Sequence, residues 1–227
     1  MADPGDACGV LGGSFDPVHF GHLHVAEELR RCLRLSRVLL LPAAVPPHKS
    51  GDQIAPAAHR RAMLELALRG RDGLELCTLE LDRGGVTYTI DTLRSLRSGQ
   101  PPLRPVFLLG SDLLAQLPSW RGWRDMVREF DLALAGRAGH ALETSRGELH
   151  PEIAGRLIEV PADAAAVAAL EPGRGGRIFC PRLAPVPISA SEIRARAARG
   201  NDLAGLVPAP VAEYIQRSGL YRREAAR

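Results

Sequence analysis

Apolar residues follow two rhythms along this chain. Some form short unbroken runs that stop at glycine or proline; others recur every three or four positions between charged residues. The runs read as buried strands: CGVLGG at 8–13, RVLLLP at 37–42, LELCTLEL at 74–81, PVFLLG ending at Gly110, DLALAG at 131–136 and RIFCP at 177–181. The periodic stretches read as helices. One spans about Gly21 to Leu33. AAHRRAMLELAL carries Met63, Leu66 and Ala67 on one side with arginines elsewhere, and TIDTLRSLRS aligns Ile90, Leu93 and Leu96. WRDMVREF is a further helix, and SASEIRARAARG and PAPVAEYIQRSG are helices that end at glycine. Residues from about Arg137 to Arg177, rich in Ala, Gly and Arg, give no clear pattern.

Strands alternating with helices predict an α/β, Rossmann-like doubly wound fold with a mostly parallel sheet covered on both faces. Ligands of such sheets sit beyond the carboxyl ends of the strands, where the strand order switches direction. Gly12–Gly13 and Gly110 end two strands and fall where that rule places a site.

Composition narrows the function. The 227 residues are 45% apolar, 24% charged and only 4% aromatic, which is ordinary for a globular protein whose core rests on aliphatic side chains. A net charge of +3 suits an enzyme that handles small anions and is too weak to argue for a nucleic-acid partner. Cys8, Cys32, Cys77 and Cys180 form no C-x-x-C pair, so neither a disulfide framework nor a zinc site is expected. The opening MADPGDACGV lacks the basic-then-apolar pattern of a signal peptide. No apolar run approaches the ~20 residues that span a bilayer, so a cytoplasmic protein without a membrane partner is expected. An interface between copies would look like ordinary apolar surface, so a homo-oligomer is compatible with the sequence.

The candidate chemistry begins at LGGSFDPVHFGHLHVAEEL, 11–29. Gly12 and Gly13 suit either a plain strand–helix turn or the close approach of a phosphate to backbone amides. His19 and His22 stand three apart at a helix start and so share a face, near the positive end of the helix dipole. They are either surface histidines or part of an anion site; a metal site would need a third ligand that the spacing does not supply. Lys49 follows Pro46 and Pro47 on a stiffened loop. Ser189 and Glu192 fit an S-x-x-E capping box, and a capped helix start also presents free amides. Asp112 reads as an N-cap. Trp120 and Trp123 lie in a polar turn, where an indole either stacks on a ring or plugs an edge.

GGSFDPVHFGH resembles the signature of the H-x-G-H nucleotidyltransferase superfamily, and is closest to bacterial nicotinate-mononucleotide adenylyltransferases. VPPHKS, YTIDTLRSLR, GSDLLAQLPSWRGW, ISASEIRARAARG and PAPVAEYIQRSGLY agree with that family in the same order, so the resemblance covers nearly the whole chain. It implies one domain over 1–227, with a core over 1–180 and a helical subdomain over 181–227. It implies transfer of adenylate from ATP to nicotinate mononucleotide, with Mg2+ carried on the ATP phosphates. His19, His22, Lys49 and Arg194 would neutralise charge. Gly12, Gly13, Ser14, Phe15, Gly21, Gly110, Asp112, Arg137, Ile188, Ser189 and Ser191 would bind ATP. Tyr88, Thr89, Leu113, Trp120 and Trp123 would bind the mononucleotide, with no protein metal ligands. The same transfer to nicotinamide mononucleotide or to phosphopantetheine is the nearest alternative, and a non-catalytic nucleotide sensor is a remote one. H-x-G-H also occurs in certain aminoacyl-tRNA synthetases, but the chain has no room for tRNA-binding domains.

Overall fold

The computed structural model describes residues 7–45, 54–136, 149–161, 167, 170–184 and 186–222. In chain order the elements are β1 (Ala7–Gly13), α1 (Phe20–Cys32), β2 (Arg37–Pro42), α2 (Ala57–Leu68), β3 (Leu74–Leu76), α3 (Leu79–Arg83) and α4 (Thr89–Arg97). They continue with β4 (Arg104–Gly110), α5 (Trp123–Glu129), β5 (Asp131–Ala135), α6 (Pro151–Ala154), β6 (Leu157–Glu159), β7 (Ile178–Cys180), α7 (Ala190–Ala198) and α8 (Ala209–Ser218).

The seven strands form one sheet in the order β3-β2-β1-β4-β5-β7-β6, and every adjacent pair is parallel. The central strands carry apolar residues at consecutive positions because both faces are covered. Along β4 the side chains divide: Val106 and Leu108 join one core cluster, Phe107 and Leu109 the other. Helices α1, α2, α7 and α8 cover the first face through Leu23, Met63, Ile193 and Val211. Helices α4, α5 and α6 cover the second through Leu93, Met126 and Ile153. The doubly wound fold expected from the alternation is the one observed. The two C-terminal helices pack into the same cluster as α1 and α2.

Two elements differ from the reading of the pattern. LELCTLEL is a strand only over Leu74–Leu76, and its second half is α3. The ladder ends where Cys77 N–H donates to the Leu40 carbonyl. Beyond it, Thr78 Oγ1 donates to Asp82 at 2.6 Å, and buried Glu80 accepts from Thr92 Oγ1 at 2.8 Å, bonds that a helical turn satisfies. The unread stretch before Arg177 contains α6 and the strand β6. In α2 the buried positions are Arg60, Met63, Leu64 and Ala67, so one arginine lies on the inner face and Leu66 is only partly buried.

The chain ahead of β7 is held by one carboxylate. Asp131 has no solvent exposure and accepts from Gly173 N–H at 2.8 Å, Arg177 N–H at 3.1 Å and Arg177 Nη2 at 2.8 Å. Removing the arginine leaves a fully buried carboxylate without its counter-charge, the costly direction for such a pair. All four cysteines are free thiols, and burial pushes Cys8 up to about 11, which leaves it an inert core residue. Among the described residues no helix is long and apolar enough to cross a membrane.

On the second face, Glu129 at the end of α5 ties that helix to α4. Its carboxylate accepts from Arg94 Nε at 3.2 Å and from Arg97 Nη2 at 2.6 Å, and it also pairs with Arg94 Nη2. Chiefly through Arg94, its carboxyl is held down at about 2 against an ordinary 4.5. The folded state therefore binds fewer protons than the unfolded one between these values. The stability is complete above about 4.5 and is lost as pH falls through about 2. Because the arginine side chains are more than two-fifths exposed, solvent screens the pairs and the contribution is that of a surface network. Glu129→Gln is expected to lower the thermal midpoint at pH 7 by roughly 2–4 °C. The gap to the wild-type chain should narrow below pH 4.5, and thermal scans across pH check this.

Candidate active site

β1 and β4 are neighbours with Leu11 opposite Leu108, so Gly12–Gly13 and Gly110 emerge at the same edge of the sheet. The chain leaves β1 towards β2 on one side while β4 flanks it on the other; this is the switch point where parallel sheets bind ligands. Four segments meet there.

The first is the loop from Ser14 to the start of α1. Phe15 adopts a left-handed backbone with φ 48° and buries its ring between Gly13 and the imidazole of His22, 5.0 Å from the latter in an edge contact. His19 is the N-cap of α1 and His22 its third residue. Their rings stack with centroids 3.7 Å apart, as the three-residue spacing predicts. His22 Nδ1 accepts the His19 backbone N–H at 3.3 Å, which places the proton of the neutral ring on Nε2. Gly21 has a specific cause. A Cβ there would stand 3.0 Å from His19 Nδ1 and 3.7 Å from Ile188 Cβ, so this glycine makes room for the protein's own imidazole.

The second is the start of α7. Ile188 leans toward Gly21, and Ser189 is the N-cap, exposed and without a side-chain cap bond. The expected capping box does not form, because Glu192 pairs with Arg196 at 3.2 Å along the exposed face. The first amides of α7 and the Ser189 hydroxyl are thus not consumed by each other. Arg194 reaches across to the loop before α1: Nη1 donates to the Asp16 carbonyl at 2.7 Å and Nη2 to Ser191 Oγ at 3.2 Å.

The third is the end of β4. Gly110, not Asp112, is the N-cap there, and it leads into a short 3-10 turn, Ser111–Leu113, with Asp112 inside it. The turn is too short for a side-chain cap at its second position to be needed. Leu113 is half-buried and Leu114 anchors the turn in the core.

The fourth joins Tyr88–Thr89 at the head of α4 to the turn carrying Trp120. Gly122 holds φ 66°, with its bare α-carbon against Ile90, which folds this turn onto α4. The Arg121 guanidinium lies over the Tyr88 ring at 4.4 Å. Trp120 is half-buried, edge-on to Phe107 at 6.1 Å, and Phe107 in turn lies beneath Gly12. A continuous floor therefore runs from the end of β1 to Trp120. Trp123 is 7% exposed and belongs to the core, edge-on to His150, so it supports the turn from within. Lys49 and Arg137 lie outside the described residues.

Sequence reasoning passed over three residues beneath this site. Asp16 is fully buried; its Oδ1 accepts from Tyr221 Oη at 2.7 Å and from Ala55 N–H at 3.2 Å. Arg60 is 1% exposed and donates to the carbonyls of Ser14, Ala44 and Ala55 at 2.9, 3.2 and 3.0 Å. Its position at helical spacing with Met63, Leu64 and Ala67 was a readable signal. For Tyr221 there was none.

Residues 10–196 match the cytidylyltransferase-like family. A probable nicotinate-nucleotide adenylyltransferase of Bordetella petrii is 44% identical over 217 residues, covering 94% of this chain and 98% of that protein. One of Symbiobacterium thermophilum is 36% identical, covering 94% of each. The chain belongs to the nicotinate-nucleotide adenylyltransferase family. Its fold is that of Plasmodium falciparum nicotinic acid mononucleotide adenylyltransferase complexed with NaAD, with TM-score 0.68 at 19% identity over 95% of this chain and 97% of that one. With a Gly21→Ala substitution in this family member, the new methyl displaces the His19 ring from His22 while the helix gains a better helix former. Turnover is expected to fall about tenfold or more, with the thermal midpoint unchanged or raised; steady-state kinetics and a thermal scan of the same preparation check both.

Proposed function

We propose that this chain transfers adenylate from ATP to nicotinate mononucleotide, releasing pyrophosphate and forming nicotinate adenine dinucleotide. The observation that carries the reading is the stacked His19–His22 pair at the amino end of α1, beside the ends of β1 and β4. The acceptor's phosphate is already anionic at neutral pH, so no general base is needed. Its oxygen attacks the α-phosphorus of ATP in line; the bond to the bridging oxygen breaks, and the electron pair leaves on pyrophosphate. Catalysis is then positioning plus neutralisation of growing charge.

The residues supply both. His22 carries its ring proton on Nε2, the α1 amides add the positive end of a helix dipole, and Arg194 has N–H groups beyond the two that hold Asp16 and Ser191. Lys49 is assigned to the same phosphates on resemblance. Gly12, Gly13, Ser14, Phe15, Gly21, Gly110, Asp112, Arg137, Ile188, Ser189 and Ser191 take the ATP side. Tyr88, Thr89, Leu113 and Trp120 take the mononucleotide, with Trp123 behind them. Mg2+ enters as part of the substrate, bound to phosphate oxygens and water.

Arg121, next in the chain to Trp120, favours an acidic acceptor ring: its guanidinium lies over Tyr88, and no carboxylate is paired to it among the described residues. Small anions rather than nucleic acid are the partners. Many described arginines are ion-paired on the surface, among them Arg31 with Glu28, Arg61 with Glu65, Arg71 with Glu27 and Arg128 with Glu152. A cytoplasmic setting is part of the proposal.

Pyrophosphate release from ATP and nicotinate mononucleotide with Mg2+ tests the reading directly; folded protein that releases none refutes it. Catalytic efficiency is expected to be higher with nicotinate than with nicotinamide mononucleotide in the same assay. His22→Ala is expected to keep ATP affinity within about threefold and to lose about 10²–10³ in kcat, the scale of one preorganised donor to a transition state. Turnover near wild type would remove His22 from the role of charge-neutralising donor.

A further inference from the structure

Beneath the active-site loop, the chain's C-terminal segment touches the same residue as Arg194. Tyr221 lies just beyond α8, whose C-cap is Gly219. Its backbone is left-handed, φ 66°, an unfavourable conformation for an aromatic residue, and Phe15 on the other side of the contact shares that region at φ 48°. Between them lies the Tyr221 Oη to Asp16 Oδ1 hydrogen bond of 2.7 Å. Asp16 is fully buried; its Oδ2 has no hydrogen-bond partner among the described residues and lies 3.7 Å from Arg194 Nη1. The same Nη1 donates to the Asp16 carbonyl. Burial, and then the adjacent Asp16 carboxylate, push the phenol above its ordinary range, so Tyr221 remains a donor.

We propose that Tyr221 is a positioning residue for the triphosphate: by holding Asp16 from below, it fixes the Arg194 guanidinium at the amino end of α1. The role rests on the adenylyl-transfer reading. Arg194 is one-quarter exposed and is held by buried Asp16 on one side and by Ser191 at the surface. A guanidinium has five N–H donors in a rigid plane, so fixing two of them sets the direction of the others. If the Asp16 side chain turns, its carboxylate leaves Nη1, and Arg194 keeps the backbone carbonyl but loses the charge that faces it. Arg60 does not replace the tyrosine, since its donors go to the carbonyls of Ser14, Ala44 and Ala55. The C-terminal segment thus takes part in nucleotide binding without touching nucleotide.

A double-mutant cycle on the full chain tests this, read by calorimetry with ATP and by kcat/KM for ATP. Tyr221→Phe removes one hydroxyl and keeps the ring. It is expected to weaken ATP binding about tenfold in the wild-type background and less than twofold in an Arg194→Ala background, because the tyrosine acts through the arginine. A merely structural tyrosine gives the same fold-loss in both backgrounds, and that result, or no loss in the first, overturns the proposal. If Tyr221→Phe does not fold, Tyr221→His runs the same cycle, since it keeps an aromatic ring and takes the hydroxyl away from Asp16; the same outcomes decide. The affinity measurement is independent of the acceptor. A wild-type chain that binds ATP and releases no pyrophosphate refutes the proposed reaction while the cycle still decides the role of Tyr221. A chain that binds no ATP refutes both.

Discussion

Two opposite charges buried under one loop hold the functional end of this molecule together. Asp16 and Arg60 are both removed from solvent, and each bonds groups from distant parts of the chain. Arg60 closes the carbonyls of the loop after β1, of the residues after β2 and of the chain entering α2; Asp16 takes the C-terminal segment and Ala55. Burial acts against the charge on Arg60, and the nearby Asp16 carboxylate offsets part of that cost. Neither residue is placed to meet a substrate. Their work is to give a glycine-rich loop one conformation, so that stacked imidazoles and a guanidinium stand where phosphates arrive.

The sheet's architecture was readable because each central strand is covered on both faces and must be apolar at consecutive positions. The strands at 8–13, 37–42 and 104–110 fell where the runs were, and Ile90, Leu93 and Leu96 marked the inner face of α4 as their spacing requires. Edge elements were less legible. β3 has three residues, and the leucine–glutamate alternation after it serves a helix as well as a strand, so hydrogen bonds from Thr78 and Thr92 decide. Near β6 the sequence is alanine- and arginine-rich, and the strand exists because β7 offers it a partner.

The site divides similarly. His19, Gly21 and His22 were legible because a helix start imposes their geometry. Ser189 with Glu192 had the letters of a capping box, yet Arg196 one turn on competes for the glutamate, and the box is not made. Trp120 and Trp123 looked equivalent in a polar turn, but Gly122 reverses the chain between them and sends one indole to the rim and the other inward. Asp16, Arg60 and Tyr221 act through long-range contacts, which local pattern does not encode; only the helical register of Arg60 hinted at its burial.

The strand order carries a consequence for biosynthesis. β7 lies between β5 and β6, although it comes after both in the chain. As the polypeptide emerges from the ribosome, β5 therefore has one row of backbone donors and acceptors without a mate until Ile178 appears, and β6 has no sheet to join. The buried Asp131 at the head of β5 waits equally long for Arg177. Half-made chains thus carry an open edge and a naked charge at the same place, a stage at which a chaperone or a slow decoding rate has most to protect.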